Sequence, residues 1–270
     1  IVEYDGANVY RDTYDRYYPN NATDKWIVDK LGIRVVKNAA GQNVTKYQWI
    51  YDSLSNNYDV QPVRGLVVRT KETRVVDPTG PNDTWLTTQT ITYTQAYSMP
   101  VEVADGKGNV TRTNYDTNWK MYPSTVTAAY GTPIAQTTTY SYDFRLGKVS
   151  SVYGPNGTST TTSYEYDYWG RLTKVIRPGD TTTNPTLRYE YGTYRANPYR
   201  PLIITATEVF TTADGSLVTL PTFRSYDGLG RLIQESQGTT DRSEIRLTNT
   251  TYNAQGCSRG GVTPPPYVSS

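Results

Sequence analysis

The stretch Tyr166-Asp167-Tyr168-Trp169-Gly170-Arg171-Leu172 recurs as Tyr226-Asp227-Gly228-Leu229-Gly230-Arg231-Leu232, and its reading decides the fold. Weaker copies stand at Tyr142-Asp143-Phe144-Arg145-Leu146-Gly147 and at Tyr252-Asn253-Ala254-Gln255-Gly256. The four starting tyrosines are 24, 60 and 26 residues apart, so the middle interval has room for two units. A unit in the twenties marks a repeat array, in which each unit buries its surface against its neighbours.

The phrase reads as the corner of a β-hairpin. A type I turn favours Asp or Asn at its first position and Gly at its fourth. Asn38 to Gly41, Asp77 to Gly80, Asp105 to Gly108, Asp167 to Gly170, Asp227 to Gly230 and Asn253 to Gly256 all fit. Pro78 adds a residue whose fixed φ suits the second turn position. The Asp side chain bonds backbone N–H groups just ahead of it, and Gly takes positive φ without penalty.

The flanks alternate as strands do. Thr158, Thr160, Thr162, Tyr164 and Tyr166 share one face of a period-two segment. Tyr47, Trp49 and Tyr51 line another such face, with Gln48 opposite, and Tyr189 and Tyr191 flank Glu190. Thr and Tyr suit a pleated surface. No run repeats apolar residues at helical spacing. The expected fold is all-β, an antiparallel β-hairpin repeat array forming a continuous twisted or spiralling sheet.

The chain divides by pattern into three parts. Residues 1–30 lack an Asp-x-x-Gly turn and read as an irregular cap. Residues 31–257 form the β array, with a hairpin turning at Asp214-Gly215 and a longer connection over 178–200, where Pro178, Pro185 and Pro198 stand. Residues 258–270, with Gly260-Gly261 and Pro264-Pro265-Pro266, read as an extended tail. Tyr is abundant, at 26, and Phe scarce, at 3, so aromatic ladders rather than aliphatic side chains are expected to supply the core.

Composition excludes much chemistry. With no histidine, the Ser-His-Asp and Cys-His nucleophile systems and the usual zinc sites are absent. The glycines near Lys107 lack phosphate-loop spacing. Glu165, Asp167 and Glu190 are the carboxylates nearest the aromatic strands, and their expected roles are turn bonding and cross-strand pairing. Catalytic, cofactor and metal sites are expected to be none. A net charge of +2 without a basic stripe argues against nucleic acid. No apolar stretch approaches the ~20 residues of a membrane span. The single cysteine, Cys257, rules out an internal disulfide framework. Six sequons, at Asn21, Asn43, Asn82, Asn109, Asn156 and Asn249, are candidate glycosylation sites in a secretory setting. Trp26, Trp49, Trp85, Trp119 and Trp169 are the aromatic candidates for stacking on glycans, with packing in the sheet as their ordinary role.

The Tyr-Asp-x-x-Gly-Arg-Leu phrase, following a Thr- and Tyr-rich strand, resembles the RHS or YD-repeat family. Asp105-Gly106-Lys107-Gly108-Asn109-Val110-Thr111, leading into Tyr115-Asp116, resembles the same unit. The resemblance is specific at residues 105–116 and 140–256 and looser from 31 to 104. It implies large secreted or cell-surface proteins, among them wall-associated proteins, shells of insecticidal toxin complexes and teneurins, whose hairpins coil into a continuous sheet. The family's C-terminal core with its Asp-Pro-x-Gly motif is not visible; Asp77-Pro78-Thr79-Gly80 has those letters but stands early and reads as a turn. The expected function is a non-enzymatic extracellular module that self-associates, or joins the remainder of a longer parent chain, through sheet edges, as in a fibre or wall. The alternatives are a segment of a shell enclosing cargo and a carbohydrate- or adhesion-binding surface.

Overall fold

The computed structural model describes residues 1–5, 8–18, 27–52, 62–78, 82–193, 202–211, 215–238, 245–253, 256 and 258–262. Asn21, Trp26, Gly80, Asp214, Cys257 and the prolines at 264–266 lie outside them. The fold is all-β and antiparallel, in two compact units, Ile1–Thr138 and Thr139–Ser270.

The first unit is a meander of β1 (Val2–Asp5), β2 (Asn8–Tyr17), β3 (Leu31–Asn38), β4 (Asn43–Tyr51), β5 (Val67–Val75), β6 (Thr84–Tyr93), β7 (Pro100–Asp105), β8 (Val110–Tyr115) and β9 (Pro123–Ala128). Each strand pairs antiparallel with the next. The second unit continues the same logic through β10 (Gln136–Asp143), β11 (Lys148–Tyr153), β12 (Thr162–Tyr166), β13 (Leu172–Ile176), β14 (Leu187–Thr193), β15 (Leu202–Thr211), β16 (Leu217–Tyr226), β17 (Leu232–Gly238), β18 (Ile245–Tyr252) and β19 (Ser258–Val262). These strands too pair in sequence order.

A serial meander sends alternate turns to opposite rims. In the first unit, the turns at Asn38, Asp77 and Asp105 follow odd-numbered strands. The loops at Asp52, Thr94 and Asp116 follow even-numbered ones. In the second unit, the turns at Asp143, Asp167, Asp227 and Asn253 all follow even-numbered strands. The Asp-x-x-Gly turns are thus of two kinds.

The register carries one repeated defect. Pairing slips by one residue just before Tyr51, Tyr93, Tyr115, Tyr142, Tyr166 and Tyr226. In the tight turns this is the bulge that follows a type I turn when Gly takes the left-handed conformation. Gly170 has φ 74° and Gly230 φ 77°. A branched side chain resists that region, so Gly230→Val is expected to cost more than ~1 kcal/mol although nothing lies within 4 Å of its Cβ position. Urea unfolding, with Gly228→Val at its ordinary φ as the control, measures it.

The structure departs from expectation in four places. Residues 1–17 hold β1 and β2 instead of an irregular cap, because Asp and Tyr alternate there at strand spacing without an Asp-x-x-Gly signal. Within 178–200, β14 interrupts the expected connection; Pro185 packs fully buried just before it instead of breaking it. The tail begins with β19, paired to β18. Residues Thr158–Thr160 form a 3-10 turn, and the strand starts only at Thr162. There the Thr160 hydroxyl donates to the Gly157 carbonyl at 2.7 Å and the Thr161 hydroxyl to that of Thr158 at 2.5 Å. Such local bonds compete with the ladder.

The core is thin. Among the described residues, the buried apolar side chains are Tyr18, Ile50, Tyr51, Pro62, Val175 and Pro185. Tyr164, Tyr166, Tyr189 and Tyr191, expected to be mostly buried, are half-buried. On β4 the better-buried face is Lys46, Gln48 and Ile50, opposite Tyr47 and Trp49.

Candidate functional site

The residues that recur in the sequence converge on the turns. In the Asp167 turn, the Gly170 N–H donates to the Asp167 carbonyl at 3.0 Å, and the Asp167 N–H donates to the Arg171 carbonyl at 2.9 Å. One carboxylate oxygen accepts the N–H groups of Trp169 and Arg171, at 2.9 and 2.8 Å. The other accepts Arg171 Nε at 2.6 Å. The Asp227 turn repeats each contact, with Arg231 Nε at 2.7 Å. Asp105 does the same with Asn109 Nδ2 in place of the guanidinium, at 2.8 Å. Asn38 accepts the N–H groups of Ala40 and Gln42, both at 3.0 Å. Gly41, Gly108 and Gly256 have φ of 75°, 85° and 81°. The Asp77 turn leans on its neighbour: Asn43 Nδ2 donates to the Asp77 carbonyl at 3.2 Å.

The arginine has a second contact. Arg171 sits 4.3 Å over the Tyr191 ring and Arg231 4.5 Å over that of Tyr252. Tyr252 ends β18, and Tyr191 stands two residues before the end of β14. Tyr191 donates its hydroxyl to the Leu172 carbonyl and Tyr252 to that of Leu232, both at 2.9 Å. The same bond joins Tyr51 to Leu31, Tyr93 to Val67, Tyr115 to Pro100 and Tyr166 to Val149. The tyrosine at or near the end of an even-numbered strand thereby caps the start of the strand before it.

Sequence reasoning left two members of this set unread. Asp52 and Asp116 follow the capping tyrosine but have no Gly three residues later. Their carboxylates organise longer loops instead. Asp52 accepts the N–H groups of Val63, Arg64, Gly65 and Leu66 at 2.7 to 3.1 Å. Asp116 accepts those of Asn118, Trp119, Met121 and Tyr122 at 2.5 to 3.0 Å. The usable signal was Tyr-Asp itself, without the Gly.

These bonds set the acidity. Burial would raise the Asp116 carboxyl, but the N–H donors outweigh it and bring it from 3.8 to about 2. Burial likewise opposes a shift of Asp167 below its ordinary range, and the Arg171 N–H and guanidinium outweigh that opposition and lower it. The Arg231 N–H leads the lowering of Asp227. A carboxyl lowered in the folded state stabilises fully above its unfolded value, and that contribution is lost as pH falls through the folded one. The Asp116 contribution is therefore expected to be intact above about pH 4 and to vanish by about pH 2. Thermal melts across that window should be shallower in pH for Asp116→Asn than for the parent.

Other candidates are dispersed. Glu165 pairs with Lys174 at 2.8 Å and Asp167 with Arg171, so these carboxylates do not face one another across a cleft; Glu190 is exposed. Trp49 and Trp85 are half-buried, while Trp119 and Trp169 are exposed. Among the sequon asparagines, Asn43 and Asn109 already donate their side-chain amides, and the Asn249 carbonyl accepts Gln234 Nε2 at 3.0 Å. Asn82 and Asn156 are exposed. Among the described residues no helix is long and apolar enough to cross a membrane.

The RHS-repeat family profile matches residues 142–182, from the end of β10 to the turn after β13. In three dimensions the chain is similar to the crystal structure of TcdB2-TccC3-Cdc42, at 14% identity and a TM-score of 0.46. It is similar to that of TcdB2-TccC3-TEV, at 13% identity and 0.45. It is also similar to the Tc holotoxin pore of Photorhabdus luminescens with a mutated TccC3, at 14% identity and 0.43. Each comparison covers 93% of this chain and 15% of the other, so the chain spans a small part of their length. Comparison with curated proteins finds no match.

Proposed function

We propose that the chain is a non-catalytic, secreted structural segment, one stretch of wall in a larger RHS-type assembly joined through its sheet edges to further repeats or further copies. The observation that carries this reading is the β1–β2 hairpin. It leaves Ile1, Val2, Tyr4, Tyr10, Tyr14 and Tyr17 exposed, an apolar end that a stand-alone domain would cover. Half-buried strands and a thin apolar core point the same way: the sheet reaches full burial only against something more. The carboxylates and arginines are engaged in holding turns, which favours a structural role over catalysis.

Hydrogen exchange on native material against the purified 270-residue chain tests this. Amides of residues 1–17 should be protected in native particles and exchange faster in the purified chain. Native particles of 30.3 kDa, with that hairpin equally protected in both samples, would remove the proposal. Electron microscopy then separates the two forms of the idea, since a cargo-enclosing shell is hollow and a fibre is linear.

A further inference from the structure

In the second unit a turn that follows an even-numbered strand carries a knob; in the first unit two loops that follow even-numbered strands wall a groove. The knob is Tyr168-Trp169. The rings meet edge to face at 5.7 Å, and they are 91% and 78% exposed. The turn beneath is held by the Asp167 and Arg171 bonds described above, so the pair is presented in a fixed pose. The charges below it are already matched within the turn. Its outer surface is aromatic.

The groove lies between the 94–99 loop and the 116–122 loop and encloses about 340 Å³, walled by Ala96, Tyr97, Val101, Thr113, Tyr115 and Lys120 among others. That is the low end of the ~300–1,000 Å³ of ligand pockets, a size for one or two rings. Both walls are pre-formed. Asp116 holds one loop. In the other the Thr94 N–H donates to the Met99 carbonyl at 2.8 Å. At the mouth, the Lys120 ammonium has no ion pair or hydrogen bond among the described residues. An unmatched ammonium is the natural partner of an indole face.

We propose that the Tyr168-Trp169 knob of one copy seats in the 94–120 groove of a second copy, with Lys120 over the indole. Patch and pocket are different surfaces, so the contact is head-to-tail and propagates into an open chain unless it closes on itself. Two pre-organised surfaces lose little freedom on meeting, and a net charge of +2 offers little repulsion between copies. The contact is separate from edge pairing, so its failure leaves the proposed function standing.

The test uses the full 270-residue chain in light scattering over a concentration series, with circular dichroism to show that each variant is folded. The parent mass should rise more than twofold above 30.3 kDa. Trp169→Ala keeps the groove but lacks the knob; Val101→Trp keeps the knob but fills the groove. Each alone should stay monomeric, and an equimolar mixture should give a heterodimer and nothing larger. Should Val101→Trp unfold, Lys120→Glu serves as the groove variant. A parent that stays at 30.3 kDa, a Trp169→Ala variant that associates as the parent does, or a mixture that stays monomeric overturns the proposal. So does saturable binding of a soluble glycan at Trp169 by a monomeric parent.

Discussion

Replacing Asp83 by Ala is expected to destabilise the Ile1–Thr138 unit by about 3 kcal/mol, at the lower bound for breaking one side of a buried ion pair. Lys46 Nζ lies 2.7 Å from Asp83 Oδ2, with the two side chains only 9% and 7% exposed. Asp83 Oδ1 accepts the Asp77 N–H at 2.9 Å, so the same carboxylate also shapes the β5–β6 turn. Removing it leaves an ammonium in a poorly solvated place and a turn without its acceptor. The double variant Lys46→Met, Asp83→Asn removes both charges while retaining an oxygen for the Asp77 N–H. It should recover most of the loss, because a neutral pair has no charge to desolvate. Urea titrations followed by tryptophan fluorescence, read through Trp49 and Trp85, give both values. Equal losses in the single and double variants would show that the ion pair itself, and not the stranded ammonium or the turn acceptor, carries the stability.

Ile50→Ala is expected to cost about 3 kcal/mol by the same measurement, within the range for truncating a buried aliphatic side chain. Ile50 is 0% exposed, in a unit with few other fully covered side chains. It lies on the Lys46–Gln48 face of β4, opposite Arg69 in register. Ile50→Val, which removes one methylene, should cost about 1 kcal/mol. A loss below that for Ile50→Ala would mean that the surrounding polar side chains collapse into the space.

The all-β fold was legible because Thr and Tyr alternate at strand spacing and because Asp and Gly fix turns through local bonds. Gly170 and Gly230 need nothing distant to adopt positive φ. What depended on distant partners was not legible. Lys46 and Gln48 are polar by letter, yet they form the better-buried face of β4, since the partner of Lys46 lies 37 residues away. The Thr158–Thr160 segment alternates correctly, but a threonine hydroxyl serves a ladder and a turn equally well, and Gly157 at φ 89° decides for the turn. β14 was read only in part, through the Tyr189–Tyr191 alternation, because prolines flank it. In the turn network the Asp-to-backbone bonds were foreseen. The tyrosine caps were not, because each joins residues some twenty positions apart.

Where a carboxylate follows a capping tyrosine, at Asp52, Asp116 and Asp167, loop length is independent of strand register. Asp167 closes a tight turn, Asp116 gathers the backbone through Tyr122, and Asp52 reaches across to Leu66, yet the tyrosine cap and the one-residue slip before it are unchanged. A clasp that counts donors and not residues gives this rim a tolerance for insertions that the strands lack. Foreign peptides grafted between such an aspartate and its last N–H donor would be displayed on a sheet that need not adjust to carry them.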